Sequence, residues 1–265
     1  MLLPFGRSTV LESVLERLEA CKAVDEQVLA TTDAPADDAL ADLARARGVR
    51  VVRGSEEDVV DRMRLAVEAF DAPPAALVRA CADNPLVMPS VVDAAVEQLF
   101  ETGVDLVTPF EQATYPFGFG LVAMTRDCLA RIDREASDSV HREHVENFCF
   151  DHPERFRIGY QVAPEALCMP ELVVTLDHAC DLERLRRLER RLAGLPLAEQ
   201  PAALIESLRG AALWVEGQSG GDPSAADLIV LQRPRDGMRL RPAAGVVTLD
   251  VQWIEGGERH VLRYA

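Results

Sequence analysis

Two aspartates stand where apolar runs of the sequence end. Asp83 lies in the stiff turn Asp83-Asn84-Pro85 after the run through Leu77 and Val78, and Asp177 closes the stretch ELVVTLD. Because the carboxyl ends of parallel strands meet at one edge of a sheet, both carboxylates could face one cleft. Carboxylate oxygens suit Mg²⁺, which usually completes its shell with water and substrate phosphates. These residues favour a Mg²⁺ site with a nucleoside triphosphate as substrate.

Polar residues also follow two earlier strand patterns. Thr32 and Asp33 come directly after the run VLAT, and Arg53 and Ser55 follow the run VRVV. One interpretation is that these residues are ordinary turn formers and helix caps. The other is that consecutive strand ends carrying Asp, Arg and Ser build a ligand site, because ligands of such sheets bind beyond the carboxyl ends of the strands.

The elements that position these residues alternate between strand and helix. Helix patterns begin at Ser8 or Thr9, after Asp33, after Ser55 and at Pro89, and short apolar runs separate them. This order predicts an α/β fold with a parallel sheet covered by helices on both faces. A further strand is predicted to end at Asp177, and a charged helix follows it.

The character of the sequence changes after Pro196. One more helical stretch precedes an alternating run with Val247, Leu249, Val251 and Trp253, a Gly256-Gly257 turn and a returning strand. We therefore predict an α/β domain over residues 1–195 and a small β-rich domain over residues 196–265.

A histidine pair offers a second kind of metal site. His141 and His144 are spaced to share one helix face, with Glu143 between them. Zinc could bind there, but this spacing is common, and a polar helix surface or hydrogen bonding near a site is the alternative interpretation.

Composition argues against several functions. The 265 residues include 44 acidic and 28 basic ones, a net charge of −16, which is the wrong sign for a nucleic-acid groove or an anionic membrane surface. Lys22 is the only lysine, so a phosphate clamp would depend on arginines, backbone amides or a metal ion. The six cysteines form no C-x-x-C pair, and neither a membrane span nor a signal peptide is recognised. These features predict a cytoplasmic protein with free thiols.

Four stretches carry a family resemblance. In order, they are VLATTDAPADDALADLARARGVRVVRGSEEDVVDR, VRACADNPLVMPSVVDAAVE, HREHVENFCFDHPERF and VVTLDHACDLERLRRL. Together they resemble the cytidylyltransferases of spore-coat polysaccharide biosynthesis, relatives of the CMP-sialate and CMP-KDO synthetases. The resemblance covers about residues 2 to 193, and RGSEEDV, ADNPL and REHV are its most specific parts.

The resemblance implies a Rossmann-like, three-layer α/β/α nucleotidyltransferase fold. It also implies transfer of a nucleotidyl group, usually from CTP, to a sugar with release of pyrophosphate, and a homodimer. By position, Asp83 and Asp177 match the aspartates that hold Mg²⁺ and do the catalytic work. The implied nucleotide-binding residues are Thr32, Asp33, Arg53, Ser55, Arg79 and Asn84. The implied sugar-binding residues are Tyr115 and Phe117, from the stretch TYPFGFG, with Glu143 and His144.

One departure from the family pattern affects activity. The family begins with a central strand and a basic, glycine-rich loop that carries a catalytic lysine, whereas MLLPFGRSTVLE aligns with the segment after that loop. Three explanations are open: an upstream start, substitution by another segment, or a degenerate paralogue that binds sugars or proteins without catalysis.

The C-terminal part has a shorter resemblance. Residues 208–238 resemble the antifreeze-like (SAF) domain of sialic acid synthases, which would point to an acidic nonulosonate sugar. Alternatively, these residues add a hairpin for dimer contact or stability. A third alternative is that DLIVLQRPRDGMRLRP supplies the central strand and basic loop, with Arg233, Arg235 and Arg239 on the phosphates.

Overall fold

A computed structural model describes most of the chain. The described residues are 1–110, 114–170, 172–208, 213–215, 229–231, 249–255 and 258–264. No helix in these ranges is long and apolar enough to cross a membrane.

The strands are short and spread along the chain. They are β1 (Pro4–Phe5), β2 (Ser8–Thr9), β3 (Val28–Thr32), β4 (Arg50–Gly54), β5 (Ala76–Arg79), β6 (Leu106–Thr108), β7 (Val122–Thr125), β8 (Ile158–Tyr160), β9 (Leu213–Val215), β10 (Ile229–Leu231), β11 (Leu249–Glu255) and β12 (Glu258–Tyr264).

Helices separate most of these strands. They are α1 (Val10–Glu19), α2 (Asp38–Ala46), α3 (Val59–Glu68), α4 (Pro89–Thr102), α5 (Arg126–Glu135), α6 (Ser139–Glu143), α7 (Asn147–Asp151), α8 (Ala179–Leu192) and α9 (Gln200–Leu208). Thr9 caps α1 as predicted, because its hydroxyl accepts from the Glu12 amide while the Glu12 carboxylate accepts from the Thr9 amide.

The sheet is mixed rather than purely parallel. β3 and β4 pair in parallel, whereas the four-stranded sheet has the order β5-β7-β6-β8 with β7 antiparallel to both of its neighbours. The predicted all-parallel arrangement is therefore wrong at β7. Residues 122–125 were not recognised as a strand, and sequence order alone does not indicate that they lie between two earlier strands.

Helices cover both faces of the four-stranded sheet. Leu106 and Met124 pack with α3 and α5 on one face, and Val107 and Ala123 pack with α4 on the other. Because successive strand residues point to opposite faces, this division gives three layers, with the sheet in the middle. The predicted α/β/α arrangement is confirmed.

The two sheets share helices without sharing a strand edge. Leu77 of β5 packs against the cluster that contains Val60 and Met63 of α3, and α3 also contacts β3 and β4. In the described part of the chain, β3 pairs only with β4 and β5 only with β7, and most residues of β3 and β5 are half-buried.

The predicted strand before Asp177 is absent. Residues 172–177 contribute only an isolated bridge between Phe117 and Val173, although Leu172, Val173 and Val174 are buried. The apolar run was correctly predicted to be buried, but a single bridge does not make a strand, and Asp177 follows an irregular segment.

The last helix of the α/β body follows Pro196. Leu204, Ile205 and Leu208 of α9 join the core cluster that also contains Phe5 and Met88. This packing places α9 with the α/β body, whereas the predicted boundary at residues 195/196 remains a prediction.

The described C-terminal residues are strands. β9 and β10 pair in parallel, and β11 and β12 pair antiparallel with Trp253 opposite His260, which confirms the predicted returning strand. Arg233, Arg235, Arg239 and most of residues 208–238, on which the SAF-like and fold-back predictions depend, lie outside the described residues.

Candidate active site

The turn that carries Asp83 is held from several sides. The Asn84 amide donates to the Cys81 carbonyl at 3.2 Å, and the Val87 amide donates to the Asn84 carbonyl at 3.1 Å. From α1, the hydroxyl of Ser13 donates to the Pro85 carbonyl at 2.8 Å, and Arg17 donates to the Val87 carbonyl at 3.2 Å. The turn between β5 and α4 is therefore fixed by backbone bonds and by two buried side chains of α1.

The structure brings Asp83 and Asp177 together. The Leu176 amide donates to the Asp83 carbonyl at 2.8 Å, which joins the two segments directly. Burial raises the pKa of Asp83, and the nearby charge of Asp177 raises it further. Two carboxylates that interact in this way create a local negative potential that a bound cation would relieve.

The donor set at this point fits a divalent cation. The Oδ1 atom of Asp83 is buried and has no hydrogen-bond partner, so a carboxylate oxygen is available and costly to leave unpaired. No group of three or more His, Cys, Asp or Glu residues in the described ranges is placed to share a metal ion. Two carboxylates are sufficient for Mg²⁺, which takes its other ligands from water and phosphates.

A half-buried ion pair lies near Asp83. The Nη1 atom of Arg79 lies 2.8 Å from both carboxylate oxygens of Glu146, and their side chains are only 19% and 12% exposed. Burial lowers the pKa of Arg79, but the charges of Glu146, Cys81 and Asp83 outweigh that effect and raise it. Glu146 was missed by sequence reasoning, because nothing local in HREHVENF indicates contact with a residue 67 positions away.

Three of the predicted nucleotide-binding residues, Thr32, Asp33 and Arg53, lie where β3 and β4 end. Arg53 donates to the Thr32 carbonyl and to the Ala34 carbonyl, both at 2.7 Å, and also pairs with Asp38. Asp33 donates its amide to the Gly54 carbonyl at 3.1 Å. Arg53 thus stabilises its own loop, and direct binding of nucleotide by these residues remains a prediction.

The last two predicted nucleotide-binding residues are Ser55, directly after β4, and Asn84, in the turn after β5. Ser55 accepts from the Asp58 amide at 3.2 Å, close to the start of α3. Asn84 is buried, and its Oδ1 atom is without a hydrogen-bond partner. The roles of both residues in nucleotide binding stay predictions.

The predicted sugar-binding residues have different environments. Phe117 is half-buried, and its ring lies 5.5 Å from that of Phe110. Tyr115 is 9% exposed within the main core, and burial raises its pKa. Glu143 and His144 are exposed. Phe117 is therefore better placed than Tyr115 to meet a ligand, and none of the four assignments is more than a prediction.

The histidine pair does not form a metal cluster in the described residues. His141 instead donates from Nε2 to Asp151 at 2.9 Å and from Nδ1 to Asp138, and the ring of His152 lies 6.1 Å away. Hydrogen bonds to Asp151 and then Asp138 raise the pKa of His141. His141 therefore makes a charged contact between α6 and α7, whereas His144 is exposed after the end of α6.

This contact predicts a pH-dependent stability. A raised folded-state pKa means that the protonated His141 stabilises the protein fully below its ordinary pKa, about 6.5, and that this contribution is lost as pH rises through the raised value. We expect His141→Gln to lower Tm most between about pH 5 and 6, and the difference from the parent to shrink as pH rises through the raised pKa of His141. Thermal melts across pH measure it, with His144→Gln as the control, and a pH-independent difference would contradict it.

Comparison with known proteins identifies similar chains. A family model described as Cytidylyltransferase matches residues 1–207. The spore coat polysaccharide biosynthesis protein SpsF of Bacillus subtilis is 30% identical over 201 residues, which span 74% of this chain and 82% of SpsF.

Two solved structures share the architecture. A cytidylyltransferase from Leptospira borgpetersenii serovar Hardjo-bovis superposes with a TM-score of 0.72 at 26% identity, over 79% of this chain and 86% of that one. A CMP-2-keto-3-deoxy-manno-octonic acid synthetase complexed with CTP gives a TM-score of 0.52 at 18% identity, over 71% and 90% of the two chains. The second similarity shows the fold alone.

Proposed function

Because this chain belongs to the cytidylyltransferase family, we propose that it transfers a cytidylyl group from CTP to a sugar used for a surface polysaccharide. In this reaction a sugar hydroxyl oxygen forms a bond to the α-phosphorus, the bond to the β-phosphate oxygen breaks, and the hydroxyl proton goes to solvent. The observation that carries the proposal is the meeting of Asp83 and Asp177, with the Oδ1 atom of Asp83 buried and unpaired.

The residues of the cleft have distinct roles in this proposal. Asp83 and Asp177 would hold Mg²⁺, which when bound neutralises charge on the phosphates. Arg79 keeps a positive charge near Asp83, and the Glu146 carboxylate fixes the orientation of its guanidinium. Thr32, the last residue of β3, and Asp33, which follows it, would contact the nucleotide base.

We propose that the acceptor sugar binds near Phe117. The half-buried rings of Phe110 and Phe117 offer an apolar surface against which a sugar ring can pack. We propose a nonulosonic acid as the acceptor because the C-terminal residues resemble a domain of sialic acid synthases. The cytoplasmic location and the homodimer also remain proposals by analogy with the family.

Calorimetry of CTP binding tests the proposed function. We expect the intact protein to bind CTP in the presence of Mg²⁺, and Asp83→Ala and Asp177→Ala each to weaken the magnesium-dependent part at least 10-fold, because the remaining carboxylate holds the ion poorly. Release of pyrophosphate with a panel of neutral and acidic sugars then identifies the acceptor. Absence of any magnesium-dependent binding by the intact protein would count against the proposal.

A catalytically inactive sugar-binding protein is the second candidate. It is favoured by the position of Lys22, the only lysine, which is exposed in the segment after α1. Release of pyrophosphate from CTP with any sugar would eliminate this candidate, whereas sugar binding without pyrophosphate release would support it.

A further inference from the structure

Asp177 is exposed and comes after an irregular segment, yet its position is fixed in detail. Its Oδ2 atom accepts a hydrogen bond from the Thr175 hydroxyl at 2.7 Å. Its backbone amide donates to Oδ2 of Asp181 at 3.1 Å, and the His178 amide donates to the same oxygen at 2.7 Å. Side-chain and backbone contacts therefore replace the β-ladder that would otherwise fix this residue.

Asp181 is in turn held by a buried arginine. The Nη2 atom of Arg184 donates to Oδ1 of Asp181 at 3.0 Å, and Arg184 also donates to the carbonyls of Val173 and Thr175. Thr175, Asp181 and Arg184 are 3%, 7% and 4% exposed. The guanidinium thus connects Asp181, in the first turn of α8, to two carbonyls of the segment that leads to Asp177.

Burial of the Asp181–Arg184 ion pair costs desolvation free energy. Apolar side chains of similar volume often stabilise a protein equally well, because two charges must be removed from water. The pair instead fixes the orientation of the segment before α8, since its other hydrogen bonds join α8 to defined backbone atoms of residues 173–178. The hydrogen bond from the Leu176 amide to the Asp83 carbonyl joins this segment to the residue that carries the other carboxylate.

We propose that Thr175, Asp181 and Arg184, which we call the Asp177 support, are positioning residues that aim the Asp177 carboxylate at a divalent cation shared with Asp83. The proposal rests on the proposed function, because it assumes that this cation binds. The support itself contacts neither cation nor substrate. Partners that orient metal ligands typically contribute 10–100-fold to metal affinity.

Titration with Mn²⁺ alone, followed by electron paramagnetic resonance of the free ion, tests the support. Thr175→Val keeps the side-chain shape and removes only the hydroxyl donor. Asp181→Asn removes the negative charge of the group that accepts hydrogen bonds from the amides of Asp177 and His178. Each variant is expected to weaken Mn²⁺ binding about 10–100-fold. Asp181→Asn should also speed hydrogen exchange at the amides of Asp177 and His178, a readout that is independent of metal.

Thr108→Val is the matched control. Thr108 is also fully buried, and its hydroxyl accepts from the Phe110 amide at 3.2 Å, outside the support. This variant should bind Mn²⁺ as the parent does. Equal Mn²⁺ affinity in the parent, Thr175→Val and Asp181→Asn would overturn the positioning role and leave the proposed function intact. Absence of Mn²⁺ binding by the parent would overturn the metal site and the positioning role together.

Discussion

Asp83→Asn is expected to lower the rate of pyrophosphate release by about three orders of magnitude. The change removes the negative charge of a carboxylate whose Oδ1 atom is buried without a hydrogen-bond partner, and with it one of the two carboxylates proposed to hold the cation. Charge on the α-phosphate of CTP is then poorly neutralised in the transition state, so the loss of activity should fall mainly on kcat. Steady-state kinetics with CTP and the identified sugar measures it.

The same variant, Asp83→Asn, should be more stable than the parent although it is less active. Because burial and Asp177 raise the pKa of Asp83, ionising this carboxyl destabilises the metal-free fold as pH rises. Asp83→Asn should therefore raise Tm at pH 7 while activity falls, and the gain should shrink in acid. Asp93→Asn is the control, since Asp93 is a half-buried residue of α4 that accepts from the Ala23 amide at 2.9 Å. Unchanged turnover in Asp83→Asn would exclude a catalytic role.

The part of the site that local chemistry determines could be predicted from sequence. The Asp83-Asn84-Pro85 turn ends an apolar run and leads into a helix at Pro89, and both features depend on residue preferences within a few positions. The approach of Asp177 was also predicted, but from a strand that the structure lacks. Burial of the run was read correctly because apolar residues are buried in either conformation.

Contacts between segments far apart in the sequence could not be predicted in the same way. The position of β7 between β5 and β6 depends on which edges are free once the chain has folded, and no residue of Val122–Thr125 indicates it. The Arg79–Glu146 pair likewise joins segments far apart in sequence. Charged residues are common at helix ends, so a glutamate there is read as solvent-exposed unless its partner is known.

That ion pair gives the second large expected effect. Arg79→Met leaves Glu146 half-buried without its partner and should cost about 3 kcal/mol of unfolding free energy. It should also lower kcat/KM for CTP by about 100-fold, since the positive charge of Arg79 near Asp83 is lost. Glu146→Gln keeps a hydrogen-bond acceptor for Arg79 and should lower stability by less.

A double-mutant cycle separates pairing from catalysis. If the two side chains act mainly on each other, Arg79→Met with Glu146→Gln should be more stable than the sum of the single changes implies, by about 1–3 kcal/mol. Denaturant unfolding measures this coupling, and kinetics on the same four proteins measures the loss of activity. Because Arg79 also faces Asp83, restored stability in the double variant should not restore kcat/KM. Recovery of both together would mean that the pair only holds the fold.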